Sequence, residues 1–232
     1  MEQMALLGVR LRAAGTFEQF ECGPNSAVVA ASEARAKETG LAPAFIWGVG
    51  RSGRTHLLQA ICSRATLAGR RVAYLPLGED WCQPDMLLGL EKLDIVCLDD
   101  MDARVDDPIW ARALFNLYNE VLEMGGNLVM TAGCAPAGLT VALPDLASRL
   151  AACLILHVRL LDEEAQGRAL QTRASALGIE LSSEVLAYLA HRLPRDLGSL
   201  LDALDRLDAA SLSHQRRLTV PFVRSVLRLS DD

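Results

Sequence analysis

Short apolar runs alternate with segments of helical spacing over the first two thirds of the chain. The runs are Ala44-Phe45-Ile46-Trp47, Val72-Ala73-Tyr74-Leu75, Ile95-Val96-Cys97-Leu98, Leu128-Val129-Met130 and Leu154-Ile155-Leu156. A strand with one wet face alternates apolar and polar residues, whereas a strand apolar throughout is covered on both faces. Each run is followed by a segment long enough for a helix, and parallel strands need crossovers of that length. The pattern therefore predicts an α/β domain with a parallel sheet flanked by helices. Ahead of the first run, Pro24 to Thr39 is alanine-rich with helical spacing, and Pro24 suits a first helical turn.

The character changes near Leu160. Asp162 to Leu177, Ser182 to Leu193, Arg195 to Leu212 and Thr219 to Leu229 have helical spacing with no strand between them. Leu197, Leu200, Leu201, Leu204 and Leu207 follow the rhythm of one buried helix face. Three segments are expected: a tail over residues 1–20, an α/β domain over 21–159 and a small all-α domain over 160–232.

Length and composition agree with this division. The chain has 232 residues, 51% hydrophobic and 22% charged, enough to build a core without crosslinks or metals. A net charge of -6 argues against a protein that coats nucleic acid through its own surface. All basic residues but Lys37 and Lys92 are arginines, so position must carry the argument for any one of them. The six cysteines form no CxxC pair and mostly sit beside apolar neighbours, the pattern of buried thiols in a reducing compartment. The N-terminus lacks a signal-peptide pattern. The uncharged stretch from Met124 to Pro144 is interrupted by glycines and prolines and cannot be a membrane helix. A soluble, cytoplasmic protein is expected.

The chemistry concentrates directly after the first run. Gly48-Val49-Gly50-Arg51-Ser52-Gly53-Arg54-Thr55 matches the phosphate-loop pattern GxxxxGK[ST] with arginine in the lysine place, and the helical His56-Leu57-Leu58 follows. The glycines let the backbone wrap an anion, the helix start supplies partial positive charge, and the Thr55 hydroxyl suits a magnesium ion. A guanidinium grips phosphate but does not replace a compact ammonium between terminal phosphates, so binding should survive better than hydrolysis. A glycine-rich turn that binds nothing is the plainer alternative. The third run ends in Asp99-Asp100, and a Mg-nucleotide site needs carboxylates at such a strand end. Asp99 would order the magnesium shell, and Asp100 would orient or activate a water. Two acids capping the next segment is the alternative there.

These features together resemble the AAA+ ATPases, specifically the DnaA branch. Phe17-Glu18-Gln19-Phe20 with Gly23-Pro24-Asn25 resembles that branch's TFxxFxxGxN entry, and Arg54-Thr55-His56-Leu57 its GKTHL. Leu143-Pro144-Asp145-Leu146-Ala147-Ser148-Arg149-Leu150 resembles the segment bearing its arginine finger. The likeness spans essentially the whole chain. It implies ADP or ATP with Mg2+, held by Gly48, Gly50, Arg51, Ser52, Gly53, Arg54, Thr55 and His56, with Pro24 and Asn25 near the adenine. Thr131 falls at the sensor 1 place and Arg195 at the sensor 2 place. Arg149 would be offered to the ATP of a neighbouring subunit, the initiator DnaA, where an arginine in trans raises the rate roughly 10³- to 10⁵-fold.

The resemblance also implies a regulator rather than an origin reader, because the helix-turn-helix reader follows the lid in the initiator and the 232 residues end with the lid. The N-terminal Gln3-Met4-Ala5-Leu6-Leu7 is similar to the family's peptide for the DNA polymerase sliding clamp, with Gln3, Leu6 and Leu7 as anchors and DNA approached only through the clamp. The implied function is negative regulation of replication initiation by promoting hydrolysis of initiator-bound ATP, with little or no turnover of its own. A self-acting ATPase or helicase-loader-like remodeller remains the alternative, as does a silent scaffold, and self-assembly stays open.

Overall fold

The computed structural model describes residues 15–193, 197–214 and 218–228. Five parallel strands, β1 Ala44–Trp47, β2 Val72–Pro76, β3 Ile95–Asp99, β4 Asn127–Ala132 and β5 Leu154–His157, lie in the order β2-β3-β4-β1-β5. The crossovers carry α2 Arg54–Leu67, α3 Pro108–Glu123 and α4 Pro144–Ala151, and α1 Ser26–Lys37 precedes the sheet. All five apolar runs are strands.

Alternation along each strand sorts side chains to two faces. On β3, Ile95 and Cys97 join Leu57, Leu58 and Ile61 of α2, while Val96 and Leu98 join Leu114 and Leu117 of α3. The same parity sends Tyr74 and Val129 to the α2 face, and Leu75 and Met130 to the α3 face. Asp99 and Thr131 fall by this count on the α2 face. Both faces are dry, which is why the strands read as continuous apolar runs.

Burial fails at one place. The run at β5 predicts cover on both faces, yet on this edge strand, paired only with β1, Leu154 is 44% exposed and Ile155 39%. Its His157 ring stacks on Trp47 at 3.8 Å between centroids.

The ends of the helices follow from single residues. Asp107 caps α3 by accepting from Ile109 N (2.7 Å) and Trp110 N (3.2 Å), with Pro108 in the first turn. Pro24 sits in a 3₁₀ turn, Gly23–Asn25, and α1 begins only at Ser26. At the opposite end of the sheet Asn127, buried at the start of β4, donates to the carbonyls of Arg35 and Glu38 and accepts from Leu41 N. Arg70 adds bonds to the carbonyls of Arg35, Ala36, Glu38 and Asp94. Two side chains thereby satisfy the carbonyls at the C-terminal end of α1, which no helical turn follows.

The chain divides into two compact units, one to Leu160 and one from Leu161. The second contains α5 Glu163–Ala176, α6 Ser183–Arg192, α7 Leu197–His214 and α8 Val220–Leu227. Asp162 and Ser182 cap the first two of these through Ala165 N and Val185 N. Leu170, Val185, Leu189, Leu200, Leu204, Leu207 and Val223 form its core. Among the described residues no helix is long and apolar enough to cross a membrane.

Candidate functional site

The loop between β1 and α2 has the form of an anion cradle. A Cβ at Gly48 would lie 2.6 Å from both Ser52 Oγ and the Val158 carbonyl, so only glycine fits where the loop folds back beside β5. Arg51 has φ 52°, and Gly53, with φ 100°, stands at the N-cap of α2. A side chain at Gly53 would be strained by that φ and would also meet the Phe20 ring at 2.9 Å. The loop rests on the segment ahead of α1, since His56 Nε2 meets the Thr16 carbonyl at 2.8 Å and the Phe20 and His56 rings lie 5.5 Å apart. Gly50 faces open space.

Facing the loop is a network on the α2 face of the sheet. Asp99, 1% exposed, accepts from the Tyr74 hydroxyl at 2.8 Å and from the Thr131 hydroxyl. The Thr131 oxygen in turn accepts from the backbone N–H of Asp100 at 3.0 Å. Burial first, and then the charge of Asp99, push the Tyr74 hydroxyl far above its ordinary pKa, so it stays a donor. Asp100 has a left-handed backbone and reaches back to Arg54, with Nη2 donating to Oδ1 at 3.3 Å. Burial raises its pKa and Asp99 adds to that, while Arg54 opposes both. Two residues later, Asp102 accepts from Gly133 N at 3.1 Å and ties the turn after β3 to the turn after β4.

The sequence places Gly48 to His56, Asp99, Asp100 and Thr131 at one site, and the fold brings these elements together at the strand C-termini. Thr131 lies inside β4, which runs on to Ala132. Asn25 is engaged elsewhere: Nδ2 donates to the Arg159 carbonyl (3.0 Å) and Oδ1 accepts from Arg159 N (2.8 Å). Its amide pins the entry segment to the irregular stretch that follows β5, and Pro24 beside it is exposed. Arg149 is exposed on α4, with its guanidinium 5.8 Å from the Tyr118 ring centroid and no carboxylate partner among the described residues. Gln3, Leu6, Leu7 and Arg195 lie outside the described residues. Tyr74 and Asp102 escape sequence reasoning: Tyr74 reads as one apolar member of a strand, and only strand register aligns it with Asp99.

Similarity to known proteins narrows the class. The model of the Hda lid domain matches residues 162–227. Domain III of the Thermotoga maritima replication initiation protein DnaA superposes with TM-score 0.81 at 25% identity, over 95% of this chain and 98% of that one. The chain joins an Hda-type lid to the fold of DnaA domain III. Its α/β unit with parallel sheet has the DnaA AAA+ fold, and residues 162–227 match the helical lid. DnaA from Aquifex aeolicus, solved with AMPPCP bound, gives TM-score 0.70 at 21% identity over 85% of this chain and 66% of that one. The Thermotoga maritima RuvB Holliday junction branch migration motor gives 0.63 at 13% over 87% and 67%.

A nucleotide with magnesium is what such a fold implies, and the residues of this chain fit the phosphates. Ser52 Oγ and Arg54 Nη1 are buried without hydrogen-bond partners, which is costly unless an acceptor or donor arrives. For a cation the accessible oxygens are the exposed Thr55 hydroxyl and the Asp100 carboxylate, 43% exposed, with Asp99 buried behind them. No cluster of three or more His, Cys, Asp or Glu suited to a metal occurs among the described residues.

Proposed function

We propose that this chain is a nucleotide-binding regulator of replication initiation that promotes hydrolysis of ATP bound to the initiator DnaA. Arg149 carries the proposal. An arginine on a short helix, exposed and free of any carboxylate among the described residues, is available to another subunit's phosphates. Supplied in trans, a guanidinium stabilises charge on the transferring γ-phosphate. Tyr118 beneath it favours the cation without neutralising it.

The chain's own loop serves to bind. Gly50 to His56 hold the phosphates of ADP or ATP, with Ser52 Oγ and Arg54 Nη1 supplying buried donors that have no protein partner. A bound nucleotide would supply negative charge that the loop, the end of β3 and Thr131 surround. Thr55 and Asp100 approach Mg2+, and Asp99 fixes the strand end from behind. Asn25 steadies the wall near the adenine through Arg159. Gln3, Leu6 and Leu7 attach the protein to the sliding clamp, which brings it to DNA and to the initiator and raises their effective concentration.

The test is single-turnover hydrolysis of initiator-bound ATP, with DNA-loaded clamp and either ADP or ATP. Stimulation by the wild type that falls at least about a hundredfold in Arg149→Ala, with ADP affinity intact, is expected for an arginine finger. Normal stimulation by Arg149→Ala refutes the assignment. Steady ATP turnover by the purified protein with no effect on the initiator establishes the self-acting alternative instead.

A further inference from the structure

Binding of a nucleotide leaves the Arg54–Asp100 ion pair unaccounted for, since it occupies a guanidinium that the phosphates need. We propose that Asp100 is an exchangeable counter-ion for Arg54: it holds the guanidinium while the loop is empty and yields it to a phosphate group when nucleotide binds. This rests on the reading that the loop takes a nucleotide.

Three observations carry it. The first is burial. The Arg54 side chain is 12% exposed, and a buried cation without a counter-charge is far costlier than one that is paired. The second is incomplete pairing. Asp100 engages only Nη2, while Nη1 is buried and unpartnered, so the guanidinium is half-satisfied. A phosphate offers acceptors to both nitrogens in the fork geometry that arginine prefers, and a compact ammonium has no such second nitrogen.

The third is the backbone. Asp100 has φ 54° and ψ 55°, a conformation uncommon outside glycine. It is held there by its N–H on Thr131 Oγ1 (3.0 Å) and by Ala103 N donating to its carbonyl (3.1 Å). Thr131 is anchored on Asp99, and Asp99 on Tyr74. The fold thus pins the carboxylate's backbone beside the phosphate loop, where it can meet Arg54. Asp100 accordingly lowers nucleotide affinity, because an incoming phosphate must displace it.

The experiment is titration of the full chain with fluorescent ADP in EDTA, which removes any contribution of Asp100 to a metal. Asp100→Asn is expected to bind about three- to tenfold tighter than wild type, the scale of a partly exposed charged pair. In an Arg54→Gln background, which leaves no charge to hold, the same substitution is expected to leave the dissociation constant unchanged. Equal tightening in both backgrounds would show direct repulsion of phosphate by Asp100 and overturn the exchange. Unchanged or weaker binding by Asp100→Asn overturns it as well.

If Arg54→Gln binds too weakly to titrate, the guanidinium NMR signals of Arg54 decide. Asp100→Asn should move them in the nucleotide-free protein, and saturating ADP should abolish the difference between variant and wild type. Signals that ADP leaves unmoved overturn the proposal. Absence of ADP binding by the wild type overturns the nucleotide reading itself, whereas ADP binding with no Arg54-dependent effect of Asp100→Asn overturns only the exchange.

Discussion

Replacing Thr131 with valine keeps the shape of a buried side chain and deletes one oxygen. That oxygen donates to Asp99 and accepts from Asp100 N. Losing it leaves one oxygen of a carboxylate that is 1% exposed with one fewer donor, and a backbone N–H with none. A bond to a charged group is worth about 1.5–3 kcal/mol and a neutral one about 0.5–1.5, so Thr131→Val should destabilise by about 2–4.5 kcal/mol. Thr131→Ser keeps both bonds and loses a methyl group, at about 1 kcal/mol. The tryptophans Trp47, Trp81 and Trp110 all lie in the α/β unit, so urea unfolding followed by tryptophan fluorescence reports on that unit. The expected order of loss is valine well above serine. A valine variant within about 0.5 kcal/mol of wild type, or a serine variant that loses more, would refute the claim that the hydroxyl braces the two aspartates.

Further outcomes follow from the same geometry. Gly53→Ala should lose about 1–3 kcal/mol in chemical denaturation and bind ADP weakly, because φ 100° and the Phe20 ring both exclude a side chain; a stable, binding variant would contradict the loop conformation. Asn25→Ala should cost about 1–3 kcal/mol by the same assay through loss of both bonds to the Arg159 backbone, and a silent substitution would remove its role as a pin. Thiol titration of the native protein at pH 8 should show Cys22 and Cys134 reacting first, since Cys62, Cys82, Cys97 and Cys153 are buried. Burial pushes the Cys153 thiol up to about 11, so little of its reactive thiolate exists until the pH rises toward that value, and peptide mapping after alkylation checks the order.

What the sequence discloses and what it hides differ by range. The loop from Gly48 to Thr55 and the acids at 99 and 100 are contiguous motifs whose chemistry follows from spacing, and the apolar runs locate every strand. The lid helices are legible because leucine spacing persists over several turns, as in Leu200, Leu204 and Leu207. Hidden are the relations that require register. Tyr74 becomes a donor to Asp99 only because β2 and β3 pair with Pro76 opposite Asp99. Asn25 spends its amide on a residue 134 positions away, which no local pattern signals. The exposure of Leu154 and Ile155 on β5 leaves no mark in a run as apolar as the buried ones. The pairing of Arg54 with Asp100 depends on a left-handed backbone at a non-glycine residue, for which the sequence has no marker.

The end of the sheet remote from the phosphate loop matters for how inactive alleles are read. Asn127 and Arg70 gather carbonyls from α1 and the strand entrances, and neither belongs to any motif. Substitutions there would appear in a genetic screen beside those of Arg54 or Arg149, with the same loss of phenotype. Steady-state abundance separates the two groups: a site variant accumulates normally, whereas an Asn127 variant is degraded, since a few kcal/mol of lost stability is enough to change cellular levels several-fold. Mapping such alleles without measuring protein levels would draw a false functional surface around the base of the sheet.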